Sequence, residues 1–423
     1  VRKSDIWRNE FEVILNKKNL LSGLIIALTM IFFQTFIAQA GFFPNEASSS
    51  LVPIVKIGLA IEKSNFDLSA DAPVYLLDVS GKKVLNKFSA NEKISLTSDG
   101  VVVVCNGKKY FSSVLISTKA DDSSTSLIYN KHKFRGEFLV ECSGKDKKAL
   151  NLINVISLEK YLYSVIGSEI STAWPEEAVK AQAVAARSYA MYNLTSKKKY
   201  QGFDMLCDTS DQAYLGKVVE DNKGRKAVDD TRGMVVIAHG KIAQTLFMAS
   251  GGGRTASSHE VWGNNCSYLQ SVIDYDEKSP YYHWEKQVAI ADFEAALTKN
   301  GFNCGAVEEI LLSPLDNTTR DNYSGDRSPS GRVKLVVVIG RNNTVELSGA
   351  DLRRIFELRS TLFEMQIKNG KVIFNGRGWG HGIGLSQWGA KQMAETKSNG
   401  GRAAKYQDIL RHYYSGSELK HLY

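Results

Sequence analysis

Gly167-Ser-Glu-Ile-Ser-Thr-Ala-Trp-Pro-Glu-Glu-Ala-Val-Lys-Ala-Gln-Ala-Val-Ala-Ala-Arg-Ser-Tyr-Ala190 is the stretch on which the fold turns. A turn-like segment bearing one carboxylate, Glu169, runs into a sharply marked helix. Pro175 suits the first helical position, where its missing N–H costs nothing. Glu176 and Glu177 follow, where negative charge meets the positive end of the helix dipole. From Ala178 to Ala190 nearly every residue is a good or small helix former, and the alanines fall on several faces. That composition predicts a buried central helix approached closely by its neighbours, with Glu169 poised just before it.

Outward from this helix, the chain divides by pattern. Residues 1–18 are polar, with Arg2, Lys3, Arg8, Lys17 and Lys18 against Asp5, Glu10 and Glu12. Asn19 to Phe43 carries no charge and is long enough to span a bilayer as a helix. Its positive N-terminal flank places that end in the cytoplasm. Ala38-Gln39-Ala40 resembles a signal-peptidase site, so the choice is a cleaved signal or an anchor. The long polar start favours the anchor, and either way the rest is exported. Residues 44–54 form a linker.

Residues 55–126 alternate short apolar runs with turns and predict a β-rich subdomain. Asn106-Gly107 between β-rich runs is a hairpin signal. A second β run at Lys133 to Val140 and Leu150 to Ile156 leads to a helix opening at Ser157, a suitable cap. Further on, strands are expected at Met234 to Ala238, Ile242 to Met248, Val333 to Ile339 and Thr344 to Leu347. Short helices are expected at Phe293 to Asn300 and at Ser348 to Phe356, the latter carrying Arg353 and Arg354. Asp316 to Arg332 is polar and reads as a surface loop. The expected fold class is α+β: an exported mixed domain over 127–423 with the β-rich subdomain, preceded by one transmembrane helix.

Composition narrows the function. The 423 residues carry a formal charge of +8 and a pI near 9.0. That balance fits an anionic neighbour such as a cell wall or membrane surface, or simply a solvated basic face. No basic run alternates with aromatics, which argues against nucleic acid. The five cysteines, Cys105, Cys142, Cys207, Cys266 and Cys304, are scattered and form no C-x-x-C pair, so neither a disulfide scaffold nor a zinc ribbon follows.

Gly376-Arg-Gly-Trp-Gly-His-Gly-Ile-Gly384 has glycine at every second position. In an extended chain one face would be bare backbone and the other would present Arg377, Trp379, His381 and Ile383. Two readings stand: the floor of an extended binding cleft, and close packing between strands. The pattern is not a dinucleotide fingerprint. Ser250-Gly-Gly-Gly lacks the nucleophile elbow, and the histidines lack a helical metal spacing.

Glu169 is the best acid candidate. To act as an acid near neutrality its pKa must rise from about 4.3, which an apolar cleft supplies and which Ile170, Ala173 and Trp174 would help to form. Most glycosidases need a second carboxylate. Glu159, Glu176 and Glu177 are near in sequence, but the last two look like helix-start charges. Glu169 acting alone suits a reaction with no protein nucleophile, such as lytic transglycosylation, where the 6-hydroxyl of muramic acid closes on its own anomeric carbon.

Several motifs, in order, resemble the stage II sporulation protein D / LytB amidase-enhancer family. They are Lys133-Phe-Arg-Gly136, Leu158-Glu-Lys-Tyr-Leu162, the Gly167–Ala190 stretch, Asp211-Gln-Ala-Tyr-Leu-Gly216, Ala249-Ser-Gly-Gly252, Val261-Trp-Gly263, Gly378 to Ala390 and Ile409 to Tyr414. The resemblance implies an exported, often membrane-anchored protein acting on peptidoglycan during engulfment. It implies a lytic transglycosylase that cuts glycan strands stripped of peptide by a partner amidase, beside other engulfment proteins. The catalytic Glu of its Ser-Glu-Met motif falls on Glu169, with Ile170 in place of Met. Substrate contacts are expected from Arg187, Tyr214, Ser250, Trp379, His381 and Gln387 in these motifs. Some members hold zinc through a Cys/His cluster. Here Cys207 is present, but Ser210 and Asp211 stand where His and Cys belong, so no metal or other cofactor is expected. Other members enhance a cell-wall amidase without cutting glycan, which is the alternative function. A purely structural link between membrane and wall is the third.

Overall fold

A computed structural model describes residues 52–119, 124–196, 199–315, 325–396 and 402–423. The expected membrane segment, 19–43, lies outside the described residues. Among those described, no helix is long and apolar enough to cross a membrane.

The N-terminal half is built from two largely antiparallel sheets that share one core. Alternation of buried and exposed residues in β1 (Ile54–Lys63) and β2 (Asn65–Ala70) marks strands with one face in the core and one in solvent. The chain continues through β3 (Val74–Leu77), β4 (Val84–Phe88), β5 (Ile94–Ser98), β6 (Val103–Cys105), β7 (Lys108–Lys109) and β8 (Ser113–Ser117). Asn106 and Gly107 link β6 to β7 with φ of 46° and 79°, the left-handed pair that a two-residue hairpin turn needs. Then come β9 (Leu127–Tyr129), β10 (His132–Phe134), β11 (Glu137–Ser143) and β12 (Ala149–Ser157). One sheet has the order β1-β12-β11-β8-β3-β4 with a short outer strand, β13 (Met205–Leu206), beside β1; the other runs β10-β9-β2-β5-β6-β7.

Strand pairing crosses the boundary expected at 126. β8 pairs with β11, β1 with β12 and β2 with β9, and their side chains enter a common core. The β-rich segment is therefore a layer of the same body. No local signal could reveal this, because strand pairing depends on partners far apart in sequence.

Two helices follow directly: α1 (Leu158–Glu169) and α2 (Glu176–Thr195). Ser157 occupies the cap position of α1, yet its side chain makes no capping bond. Pro175 sits one residue before α2 rather than at its first position. The alanines of α2 serve two cores at once. Val179, Ala183, Ala186 and Ala190 face the sheets. Ala178, Ala181, Val184 and Ala185 face a second core formed with Ile383, Leu385, Ile409 and Tyr413. A helix buried on opposite sides cannot be amphipathic, which explains the unbroken run of small residues.

The remaining elements wrap this helix. They are α3 (Asn222–Asp230), β14 (Met234–Ala238), β15 (Lys241–Ile242), β16 (Phe247–Met248) and α4 (Ser258–Trp262). Between Trp284 and Gly376 lies a module with its own apolar cluster, including Phe293, Phe356, Phe363 and Phe374. It comprises β17 (Trp284–Ala289), α5 (Ile290–Lys299), β18 (Val307–Leu311), β19 (Val336–Gly340), β20 (Thr344–Leu347), α6 (Gly349–Ile355), β21 (Phe363–Lys368) and β22 (Lys371–Gly376). These strands form two three-stranded sheets, β17-β22-β21 and β18-β19-β20. The chain then returns through the glycine tract to β23 (Leu385–Ser386), α7 (Gln387–Glu395), α8 (Tyr406–Tyr413) and β24 (Glu418–His421).

Part of the expected surface loop is interior. Arg327 and Arg332 are buried. Arg327 donates to the carbonyls of Ser313, Gly331 and Phe363, and Arg332 to those of Gly251 and Arg254. These arginines tie loops together, a role invisible without the distant carbonyls. Residues 316–324 of that stretch lie outside the described residues.

Candidate active site

Glu169 is the last residue of α1, not part of a turn before α2. Its position follows from a close approach. Gly167 lies against the backbone of Val219, and a Cβ there would sit 2.0 Å from the Val219 oxygen. Only glycine allows this contact, which brings the 205–219 segment over the end of α1. That segment is pinned on both sides of Ala213. Gln212 is buried, accepting from the Tyr161 hydroxyl at 3.1 Å and donating to the Ala186 carbonyl. Tyr214 is buried and donates to Asn154 at 2.6 Å. Between them, the Ala213 N–H donates to Glu169 Oε1 at 2.7 Å.

Burial pushes the Glu169 carboxyl above the ordinary range, and the Ala213 bond offsets only part of this. The negative end of the α1 dipole also disfavours a charge there. Glu169 thus keeps its proton to higher pH than an ordinary carboxyl does.

The carboxyl opens into a cleft of about 850 Å³, within the range of small-ligand sites. Aromatic groups stand on two of its walls. Trp174 and Trp388 meet edge to face at 4.7 Å, with the Lys391 ammonium over both rings. Tyr281 and Trp379 meet likewise at 4.5 Å, with the Arg359 guanidinium over both. Trp379 is 42% exposed although large and apolar. Flat aromatic faces of this kind match the C–H faces of pyranose rings.

Trp379 is held by the glycine tract. The tract is no flat strand: Gly378, Gly380, Gly382 and Gly384 have φ of 76°, 130°, 94° and 76°. It is also tightly packed. A Cβ on Gly384 would meet the Leu246 oxygen at 2.1 Å, and one on Gly382 the Arg332 guanidinium at 2.3 Å. Close packing, one of the two expectations for the tract, is thus present along it. Trp379 and His381 line the cleft, Ile383 is in the core, and Arg377 lines a separate cavity. The alternation predicted for an extended chain fails because every second residue turns to the left-handed region.

His381 is neutral and fully engaged. The Ile383 N–H donates to Nδ1 at 3.0 Å, so Nε2 carries the proton and donates to the Phe247 carbonyl at 3.1 Å. Burial lowers its pKa to about 4. It shapes the wall and has no nitrogen left for proton transfer. Gln387 also lines the cleft, near Gln182.

Three expected substrate contacts do not line the cleft. Arg187 is fully buried and grips Glu159 with two bonds of 2.8 Å. Tyr214 supports the Ala213 loop. Ser250 is buried and donates to Asp276, which also accepts from the Gly252 and Gly253 N–H groups at 2.8 Å. Through its backbone, Ser250 pairs with Trp379. All three are motif residues that make contacts within the protein rather than in the cleft. Conversely, sequence reading missed Trp388, Tyr281 and Arg353 in the cleft. Trp388 lay in a quoted motif and Arg353 on an expected helix; for Tyr281 no sequence signal existed.

Other carboxylates near the site are occupied. Asp211 lines the cleft, but its side chain is enclosed, accepting from Tyr189, Lys199 and the Leu206 N–H. Glu176 pairs with Lys180 and Lys226, and Glu177 accepts from the Tyr406 N–H. Nor does Asp211 offer a metal ligand beside Cys207, whose thiol burial pushes up and whose Sγ lies 3.9 Å from the Leu59 oxygen. Among the described residues no three His, Cys, Asp or Glu side chains gather as a metal site.

A family profile described as stage II sporulation protein matches residues 146–237, which hold α1, α2 and the Ala213 loop. A second, described as a domain of unknown function, matches residues 203–384. An uncharacterized protein of Brachyspira hyodysenteriae is 31% identical over 271 residues, 63% of this chain and 68% of that protein. The stage II sporulation protein D of Bacillus amyloliquefaciens is 28% identical over 62% of this chain and 74% of its own length. The amidase enhancer of Bacillus subtilis is 28% identical over 61% of this chain but only 40% of its own. With Glu169, the Ala213 loop and the glycine tract all within the matched regions, the chain belongs to the family of stage II sporulation protein D and the LytB amidase enhancer.

Proposed function

We propose that the chain is a lytic transglycosylase of peptidoglycan that cleaves peptide-free glycan strands, with Glu169 as the single acid and base. The observation that carries this is the lone raised carboxyl: among the described residues lining the cleft, Glu169 is the carboxylate not enclosed by protein donors. Hydrolysis by the usual routes asks for a second carboxylate to activate water or attack the sugar. Transglycosylation asks only for one. Glu169 gives its proton to the glycosidic oxygen as the bond from that oxygen to C1 of muramic acid breaks. The carboxylate then takes the proton of the 6-hydroxyl as O6 bonds to C1. The strand is cut into two pieces, one ending in a 1,6-anhydro ring, with no water consumed and Glu169 reprotonated. The Trp174/Trp388 and Tyr281/Trp379 walls hold successive sugars by stacking. No metal or other cofactor takes part.

Incubating the protein with peptide-free strands and reading products by mass spectrometry tests this. The unaltered chain should release anhydromuramic ends, and Glu169→Gln should lose roughly 10²–10⁴-fold in rate while still sedimenting with glycan. Reducing ends would mean hydrolysis and refute the single-carboxylate route. A second reading, favoured by the similarity to an amidase enhancer, is a wall-binding activator of an N-acetylmuramoyl-L-alanine amidase. No cleavage by either protein, with faster peptide release when an amidase is added, would establish it. In both, the body acts outside the cytoplasm, attached through residues 19–43. An N-terminus at Gly41 in membrane-extracted protein would rule out the anchor.

A further inference from the structure

The cleft holds a second charged group that the bond-breaking chemistry does not use. Arg353 projects from α6 of the inserted module and lines the cleft with Glu169, Trp379 and His381. Its Nε donates to the Leu358 carbonyl at 3.3 Å, which fixes the guanidinium plane. No carboxylate within the described residues pairs with it. Its electrostatic neighbours, His381 and Arg332, are neutral and cationic respectively. The next residue behaves oppositely: Arg354 is exposed and bound to Asp351 at 3.2 Å and Asn300 at 2.9 Å. Arg359, exposed and stacked over Tyr281 and Trp379, adds a second cation on this wall. Across the cleft, Asp211 is neutralised by Lys199.

A half-buried guanidinium without a counter-ion carries a desolvation cost that an anion arriving with the substrate relieves. Its planar fork matches a carboxylate through two parallel bonds. Resting on the glycan reading above, we propose that Arg353 is a specificity residue. It binds the lactyl carboxylate of a muramic acid from which the peptide has been removed. An intact stem carries an amide there, which presents no charge and adds bulk, so this contact selects stripped strands and fixes which way the strand lies across Glu169.

The test reads binding, not cleavage, in the full chain carrying Glu169→Gln, so it stands whatever bond that residue acts on. The probes are a soluble peptide-free glycan strand, the same strand with its lactyl carboxyls converted to methylamides, and a neutral N-acetylglucosamine oligomer. Arg353→Gln should weaken the carboxylate strand roughly 10–100-fold, the loss expected for a hydrogen-bonded charge, and leave the neutral oligomer unchanged. Amidation should weaken the strand equally with Arg353 present, and the two changes together should cost no more than either alone. Equal loss on the carboxylate strand and neutral oligomer would show a merely structural role. Unchanged affinity in Arg353→Gln, or in the amidated strand bound by protein with Arg353 intact, would overturn the assignment. Should Arg353→Gln fail to fold, the amidated strand decides without that substitution.

Discussion

The two ends of α1 carry one carboxylate each, and the protein treats them in opposite ways. Glu159 sits in the first turn, at the positive end of the dipole. Burial alone would raise its pKa, but the bonds and charge of Arg187, the Tyr423 hydroxyl and the Gly233 N–H together outweigh this, so its carboxyl is held below the usual range. Glu169, ten residues on, sits at the negative end with one backbone donor and no cation, and is pushed up. Glu159 is buried, whereas Glu169 is half-buried and borders the cleft. Partner and dipole decide that one carboxyl is held below the ordinary range and the other above it.

The largest stability effect should come from breaking the Glu159 end. Arg187 also donates to the Met234 and Val228 carbonyls, so it joins α1, α2, α3 and the start of β14. Arg187→Ala leaves Glu159 charged and buried without its cation, and should cost about 3–5 kcal/mol. Denaturant melts of the purified protein measure this. A loss under 1 kcal/mol would mean that Glu159 is solvated well enough to stand alone.

The Glu169 end is more sensitive to shape than to charge. At Gly167, helix propensity favours alanine by about 1 kcal/mol. The added methyl, however, would overlap the Val219 carbonyl at 2.0 Å, and forcing backbone apart in a packed interior costs about 1–3 kcal/mol. The clash should win, giving net destabilisation and displacement of the Ala213 N–H from Glu169. A stabilised Gly167→Ala protein with unchanged pH–rate behaviour would show that this loop does not position the acid.

These contrasts mark where sequence suffices. The alanine run of α2 declared a buried helix because small residues on all faces have no other economical explanation. Glu169 stood out through its motif and apolar neighbours. The sequence did not show that it ends α1, since Gly167 and Ser168 are weaker helix formers and the Val219 backbone that requires glycine at 167 is distant in sequence. Arg187 illustrates the opposite difficulty. A charged residue in a shared motif reads as a substrate contact, and only the fold brings Glu159 to it across 28 positions. Arg353 was visible as one of two helix arginines, but its lack of a counter-ion is a property of the assembled cleft.

The subtlest prediction separates the two carboxylates by sign. A group whose folded pKa is raised favours the protonated fold, so its relative contribution is fully present below the unfolded value, near 4.5, and is lost as pH rises through the folded value. Glutamine at 169 never ionises and can still accept from Ala213. Glu169→Gln should therefore melt level with the unaltered protein near pH 4 and above it at pH 8, by less than the glycine change costs. Glu159→Gln should do the reverse. Its carboxyl is depressed, so its contribution is present above about 4.5 and fades as pH falls through the lower folded value. That variant should be weakest relative to the unaltered chain at neutral pH, with the gap closing in acid. Because each comparison subtracts all other titrating groups, the two difference curves must slope in opposite directions. Parallel curves would mean that Glu169 is ionised in the folded protein at neutral pH, and the acid role would then have no proton to give.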